Sequence, residues 1–301
     1  MIVLIFFMFV RNIVFFFCAM NCILAAPVLT PSAEMPAFIN KASPFRGKII
    51  HPGYEGYTWV SYPHVENPGS LDIDPKGRIF VAEANRFKFG VQDLRGARYM
   101  IARDFQSKTL EDRLSLYQDF SDKIPMEWYT SVPERIIRLQ DKDGNGVADE
   151  RTVYSADFNE TLDGIGFSLL AEEDAVYFTC IPALRKLTDP DDNGIADTNQ
   201  KIVNGFGVRI SFTGHDLHGI IRGPDGRLYF SVGDRGYHVT DDEGQVQGAS
   251  GRGAVFRCES DGSNFEVVAH GLRNPQEIAF DHHGNLFTFD NNGDIGDEAR
   301  I

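Results

Sequence analysis

Four stretches of this chain can be laid over one another, and that repeat constrains the fold more than any other feature. They are GSLDIDPKGRIFVAEAN from Gly69, IGFSLLAEEDAVYFTCIP from Ile165, GIIRGPDGRLYFSVGD from Gly219 and EIAFDHHGNLFTFDNN from Glu277. Each reads as an apolar strand, a short turn of Pro, Gly, Asp, Glu or His type, and a strand rich in Val, Phe and Tyr, which is the pattern of a β-hairpin. Behind the first three hairpins the sequence predicts a third strand (135–140, 183–188, 253–258) and a short fourth one (152–155, 201–204, 265–269). Four strands per unit, repeated about every 50 residues, is the unit of a β-propeller. The expected fold is therefore all-β: about three and a half blades of a propeller, with the hairpin near Glu277–Phe289 left without its outer strands at Ile301.

Matched positions test the spacing. Asp163, His215 and Arg273 precede their hairpins by the same interval, in steps of 52 and 58 residues, and Glu66 holds that place in the first unit. The step of 97 residues from Glu66 to Asp163 predicts an insertion over 87–133. Within it Thr109 and Asp112 look like a capping box, and Leu110, Leu114, Tyr117 and Phe120 fall on one helical face. A helix packed over one face of the propeller is expected there.

Charge and the N-terminus bound the setting. Forty-three Asp and Glu against 29 Lys and Arg give a formal charge of -14, which argues against a phosphate-binding surface and hence against nucleic acid. Residues 1–26 are two apolar runs around Arg11-Asn12, read as a secretory signal or an uncleaved membrane anchor. The chain then divides into a lead-in over 27–65 and the partial propeller over 66–301, and an exported location, periplasmic or membrane-anchored, is expected. Export leaves Cys180 and Cys258, either paired or as two buried thiols.

In a blade the first strand begins and the second ends on the same face, beside the central channel. Glu66 with Asn85, Asp163 with Pro182, His215 with Asp234 and Arg273 with Asn292 should therefore converge at one mouth, each pair 19 residues apart. Propellers place ligand sites at such a mouth. His215 is the one residue of this set suited to proton transfer near neutrality. Asp234 can accept from one ring nitrogen and aim the other. Arg273, Asn274 and Gln276 add a cation and amides suited to carboxylate or quinone oxygens. The alternative is a histidine satisfied by its own loop. His218, inside the strand, is read as a core or turn residue.

The run from His215 to Asp234 resembles the soluble quinoprotein glucose and sorbosone dehydrogenases, and so does Gly271-Leu-Arg-Asn-Pro-Gln276, with its Arg-Asn-x-Gln signature. The stretch Asp290-Asn-Asn-Gly-Asp-Ile-Gly-Asp-Glu298 looks like that family's calcium and quinone loop. As a whole the chain is most similar to large bacterial membrane-bound dehydrogenases, in which such a propeller precedes helical repeats and a c-type haem domain. The resemblance implies a six-bladed propeller that binds pyrroloquinoline quinone (PQQ) and calcium. It implies His215 as the base that takes a substrate hydroxyl proton, with Asp234 orienting it. Arg273, Asn274 and Gln276 would contact quinone and substrate, and the backbone carbonyls of Asn292 and Gly293 would bind calcium. The electron acceptor would be a cytochrome domain outside this chain. Gly214 stands where the glucose enzymes carry an Asp, which puts sugar specificity in doubt.

Two acidic turns stand apart from this pattern. Asp141, Asp143, Asn145 and Asp149, and again Asp189, Asp191, Asn193 and Asp197, place oxygen ligands at loop positions 1, 3, 5 and 9 with Gly at 6. Position 12 is Thr152 or Gln200 rather than Glu. Either a structural calcium or a plain Asp/Asn/Gly turn fits. The leading expectation for the chain is a PQQ-dependent dehydrogenase of a sugar, alcohol or similar hydroxyl compound. The alternatives are a calcium-dependent propeller lactonase or esterase and a non-catalytic binding propeller.

Overall fold

The structure is a computed structural model that describes residues 58–292 and 298–301. Three antiparallel four-stranded sheets follow one another in the order the repeat predicts. The first holds β1 (Pro68–Ile73), β2 (Ile79–Glu83), β3 (Glu134–Gln140) and β4 (Glu150–Phe158). The second holds β5 (Gly166–Ala171), β6 (Val176–Cys180), β7 (Ala183–Thr188) and β8 (Thr198–Asn204). In the third, β9 (Leu217–Arg222) and β10 (Leu228–Val232) are separated from their outer strands by a hairpin of β11 (Tyr237–Thr240) and β12 (Val246–Ala249), after which β13 (Gly253–Cys258) and β14 (Glu266–Leu272) complete the sheet. A last hairpin, β15 (Ile278–Phe280) with β16 (Leu286–Thr288), starts a fourth unit. The inner strands β1, β5, β9 and β15 stand side by side in that order. This is an incomplete all-β propeller: three blades and one inner hairpin.

Strand periodicity explains how the blades stack. Alternate side chains of a strand leave opposite faces of the sheet. In β2, Phe80 and Ala82 face the second blade, while Val81 turns to a cluster with Trp59, Val60 and Val65 of the lead-in. In β6, Val176, Phe178 and Cys180 meet the first blade and Tyr177 meets the third. In β10, Leu228, Phe230 and Val232 pack on the second blade and Tyr229 on Ile278 of the last hairpin. The two largest cores thus lie between adjacent blades, and no single blade buries both its faces alone. Aromatic edges fill these seams, as where the Phe206 ring meets Phe230 at 5.6 Å and 87°.

The segment between β2 and β3 holds two helices, α1 (Ile101–Asp104) and α2 (Leu110–Asp119). The expected capping box is present, with Asp112 N donating to Thr109 Oγ1 at 3.2 Å and Thr109 N donating back to Asp112. The buried stripe differs from the expected one. Arg113, Leu116 and Tyr117 are buried, whereas Leu110 and Leu114 are only half-buried. The helix is rotated because Arg113 turns inward to donate to the Leu162 carbonyl at 2.6 Å. With Leu94, Met100 and Tyr129 this segment packs on Ile210 and Phe212, which lie just before β9. It therefore covers the face where first strands begin.

The hairpin β11–β12 was not expected as an element. It leaves the end of a second strand, as the first-blade insertion does, and the two meet where Ser250 Oγ donates to the Ser107 carbonyl at 2.6 Å. Cys180 and Cys258 are free and buried. Among the described residues no helix is long and apolar enough to cross a membrane. The signal or anchor expected over 1–26 lies outside the described residues, as do Gly293 and most of the lead-in.

Candidate active site at the propeller mouth

His215 closes the loop before β9, and Asp234 follows the end of β10. Antiparallel pairing of β9 with β10 sets these two ends side by side, and His215 Nδ1 lies 2.8 Å from Asp234 Oδ1. A carboxylate only accepts, so Nδ1 is the donor in this bond. Among the described residues no protein group takes Nε2. Burial raises the Asp234 carboxyl, but hydrogen bonds from His215 and Ser211 and the positive charge of Arg273 together outweigh it and hold the group below its ordinary value. The pair is thus an imidazole oriented by a carboxylate.

The loop carrying His215 is fixed from several sides. Gly214 N donates to Asp216 Oδ2 at 3.0 Å, and the other oxygen of this fully buried carboxylate is paired with the buried guanidinium of Arg235. The Gly214 carbonyl accepts from His218 Nε2 at 2.9 Å and from Gln276 Nε2 at 3.1 Å. Burial lowers the His218 pKa, so its ring is neutral and donates through Nε2. His218 thus has the turn role expected of it. Gln276 ties the last hairpin to the His215 loop through this amide.

Arg273 and Asn274 come from the neighbouring unit. Asp234 N donates to the Arg273 carbonyl at 2.7 Å, which joins the two units directly at the pair. The buried carboxylate of Asp290 receives Arg273 N at 2.9 Å and Asn274 N at 2.8 Å on Oδ1, and it is paired with Arg300 at 3.2 Å. Asn274 is buried, and its Oδ1 has no protein partner. It lies against Gly233: a Cβ there would stand 2.8 Å from both Asn274 Oδ1 and His215 Cα. Only glycine leaves the amide this close to the histidine backbone. A half-turn of the amide would offer its NH2 at the same point. A buried amide whose Oδ1 has no protein partner, beside the His215 backbone and with the Arg273 charge acting on Asp234 nearby, suits an oxygen-rich anionic ring, so these residues fit a quinone such as PQQ.

The structure therefore brings His215, Asp234, Arg273 and Asn274 together at one mouth. Other mouth positions serve structure. Asp163 pairs with Arg185 at 2.9 Å, Glu66 pairs with Arg135 at 3.0 Å, and Asn85 accepts from Asn67 at 3.1 Å. The carbonyl of Asn292 accepts from Asn291 Nδ2 at 3.1 Å, and Gly293 lies outside the described residues. Ser211, Asp216 and Asp290 were missed by sequence reasoning. Asp216 and Asp290 lie inside runs already singled out but were given no role there, whereas Ser211 carried no signal.

The two acidic turns join third to fourth strands, so the strand directions put them on the opposite face from His215. In each, three carboxylates come within 4.8 Å of one another: Asp141, Asp143 and Asp149, and Asp189, Asp191 and Asp197. Asn145 donates to Asp143 and Asn193 to Asp191, each at 3.0 Å. Backbone amides already satisfy much of both turns, as where Asp141 accepts from Gly144 N at 2.8 Å and Gly146 N at 2.8 Å. The second turn also receives Arg138, 3.3 Å from Asp189 and 3.0 Å from Asp192.

Residues 48–298 match the model of a family described as Domain of unknown function (DUF7133). No curated protein matches the chain. Among solved structures it is similar to the PQQ domain of pyranose dehydrogenase from Coprinopsis cinerea, in the holo form, at 13% identity and TM-score 0.42 over 75% of this chain. It is also similar to PQQ-bound aldose sugar dehydrogenase from Streptomyces coelicolor, at 17% identity and TM-score 0.42 over 75% of this chain. A third is described as an oxidoreductase (glucose dehydrogenase) of Thermus thermophilus, at 17% identity and TM-score 0.43 over 76% of this chain. The chain spans 44%, 57% and 59% of the lengths of these structures.

Proposed function

The chain belongs to the DUF7133 family, and from that premise and the mouth geometry we propose that it is the propeller part of a quinone-dependent dehydrogenase of a hydroxyl compound. The observation that carries this reading is the oriented pair: His215 Nδ1 held 2.8 Å from Asp234 Oδ1, with Nε2 left to the mouth. His215 Nε2 takes the proton of the substrate hydroxyl, and Asp234 stabilises the imidazolium that results. Arg273 and Asn274 would hold the quinone, which supplies a two-electron acceptor when bound, and Arg273 would offset negative charge that develops there. Gln276 keeps the His215 loop in register with Arg273 and Asn274. The backbone carbonyls of Asn292 and Gly293 would serve calcium at the same loop.

The protein is proposed to work outside the cytoplasm, exported or anchored through residues 1–26, and to pass electrons to a c-type cytochrome domain. The substrate class is a sugar, alcohol or related hydroxyl compound. A lactonase would need carboxylates gathered on a mouth metal. Among the described residues three carboxylates gather only at the two turns of the opposite face, while Asp234 and Asp290 are both committed to protein donors. The turns are proposed as structural calcium sites and take no part in the chemistry. The test is to purify the protein with its full-length parent chain, add PQQ and calcium, and measure quinone absorbance and dye reduction across a panel of sugars and alcohols. Failure to bind the quinone would overturn the reading.

A further inference from the structure

Ser211 shares the oxygen that orients the histidine. Its Oγ donates to Asp234 Oδ1 at 2.6 Å, the same atom that accepts from His215 Nδ1. Ser211 is buried, and its backbone sits at φ +44°, a left-handed conformation that few non-glycine residues adopt. Strain of this kind persists where the surroundings over-determine it.

Here the surroundings are the segment between β2 and β3. The Ser211 carbonyl accepts from Leu94 N at 3.0 Å. Asp93 accepts from Thr213 N at 3.0 Å and from Thr213 Oγ1 at 2.7 Å. Asp104, fully buried, accepts from Ile210 N at 2.6 Å and Arg209 Nε at 3.1 Å. From Arg209 to Thr213 every residue but Phe212 is thus gripped by a hydrogen bond from this one insertion. Phe212 packs in the insertion's own apolar cluster and sets its ring edge-on to His215 at 5.6 Å.

We propose that Ser211 is a positioning residue for the His215–Asp234 pair, held in place by the insertion that covers the mouth. Its hydroxyl fixes the rotation of the Asp234 carboxylate. The insertion is then part of the support of the base as well as a cover. This inference rests on the reading of His215 as the proton acceptor.

The test uses two variants, Ser211→Ala and Ser211→Gly, because glycine accepts the left-handed backbone and separates loss of the hydroxyl from strain. The first readout needs no cofactor: the low-field proton resonance of His215 Nδ1–H, assigned by its loss in Asp234→Asn. It should move or broaden in both variants. In the quinone-loaded protein both should lower kcat about tenfold, the weight of one hydrogen bond to a charged group, with KM changed little. Asp104→Asn should perturb the same resonance more weakly. If both Ser211 variants leave the resonance and kcat unchanged, the positioning role is overturned. If only Asp104→Asn is silent, the insertion's part in it is overturned. A resonance that moves in a protein with no dehydrogenase activity sinks the proposed function and leaves the positioning of the His215–Asp234 pair by Ser211 standing.

Discussion

Oδ1 of Asp234 lies 2.8 Å from Nδ1 of His215, although the two residues are 19 apart in sequence and sit at opposite ends of a β-hairpin. The hairpin makes the pair, because the start of β9 and the end of β10 meet on one face. If the pair is the base, His215→Ala should reduce turnover of the quinone-loaded protein by roughly 10²–10⁴-fold. Asp234→Asn should reduce it too, since an amide can present its NH2 to Nδ1 and reverse the tautomer. Stopped-flow reduction of the quinone reads both. Turnover unchanged in His215→Ala would rule His215 out as the base.

Asp234 also makes an acid-range prediction. Its folded pKa is held below the ordinary value despite burial. A carboxyl depressed in this way stabilises the fold above its unfolded pKa of about 3.9, and that contribution is lost as pH falls through the folded pKa. The stability gap between wild type and Asp234→Asn should therefore be flat above about pH 5 and shrink below about pH 4. Urea midpoints at steps between these values measure it. A gap that persists unchanged into strong acid counts against the ionised, hydrogen-bonded carboxylate.

The blades and the pair were legible because both follow from the repeated strand–turn–strand pattern and from hairpin length. Those are local properties, visible in runs such as Leu228–Val232. The hairpin β11–β12 was hidden because the repeat alignment absorbed it into a step of 58 residues, although Tyr237, Val239 and the turn at Asp241–Gly244 carry the hairpin pattern. The rotation of α2 was hidden because a buried Arg113 breaks the rule that the apolar stripe faces inward. Only the Leu162 carbonyl, 49 residues away, explains it. Ser211 was invisible for the same reason: its partners Leu94 and Asp234 belong to different blades, and nothing in its neighbours predicts a left-handed backbone.

The quinone contacts give a binding prediction separate from rate. Arg273→Ala and Asn274→Ala should each weaken PQQ binding by about 10–100-fold, the range for losing a hydrogen bond to a charged group. Quinone fluorescence or absorbance titration of the protein measures this without turnover. Gly233→Ala should weaken it as well. The new Cβ would fall 2.8 Å from Asn274 Oδ1 and from His215 Cα, and one of them must move. Unchanged affinity in all three variants would place the quinone elsewhere.

The two acidic turns should differ in their response to calcium. Both gather three carboxylates within 4.8 Å, which is what a hard cation requires. Within the first turn Lys142 is paired with Glu150 at 2.7 Å rather than with the three clustered carboxylates. At the second, Arg138 reaches Asp189 and Asp192, and Arg78 is paired with Asp192 as well. Those guanidinium groups already neutralise part of the charge that would draw an ion, and Asp189 is a ligand position. Calcium should therefore raise the melting temperature mainly through the first turn. Chelator should lower it in wild type, Asp143→Ala should remove most of that response, and Asp191→Ala should remove little. Arg138→Gln should increase the response of the second turn, because it removes the guanidinium charge beside Asp189 and Asp192. Neither turn variant should alter turnover at saturating quinone, since both turns lie on the face opposite His215. Equal melting with and without chelator would leave both as plain Asp/Asn/Gly turns held by their own backbone amides.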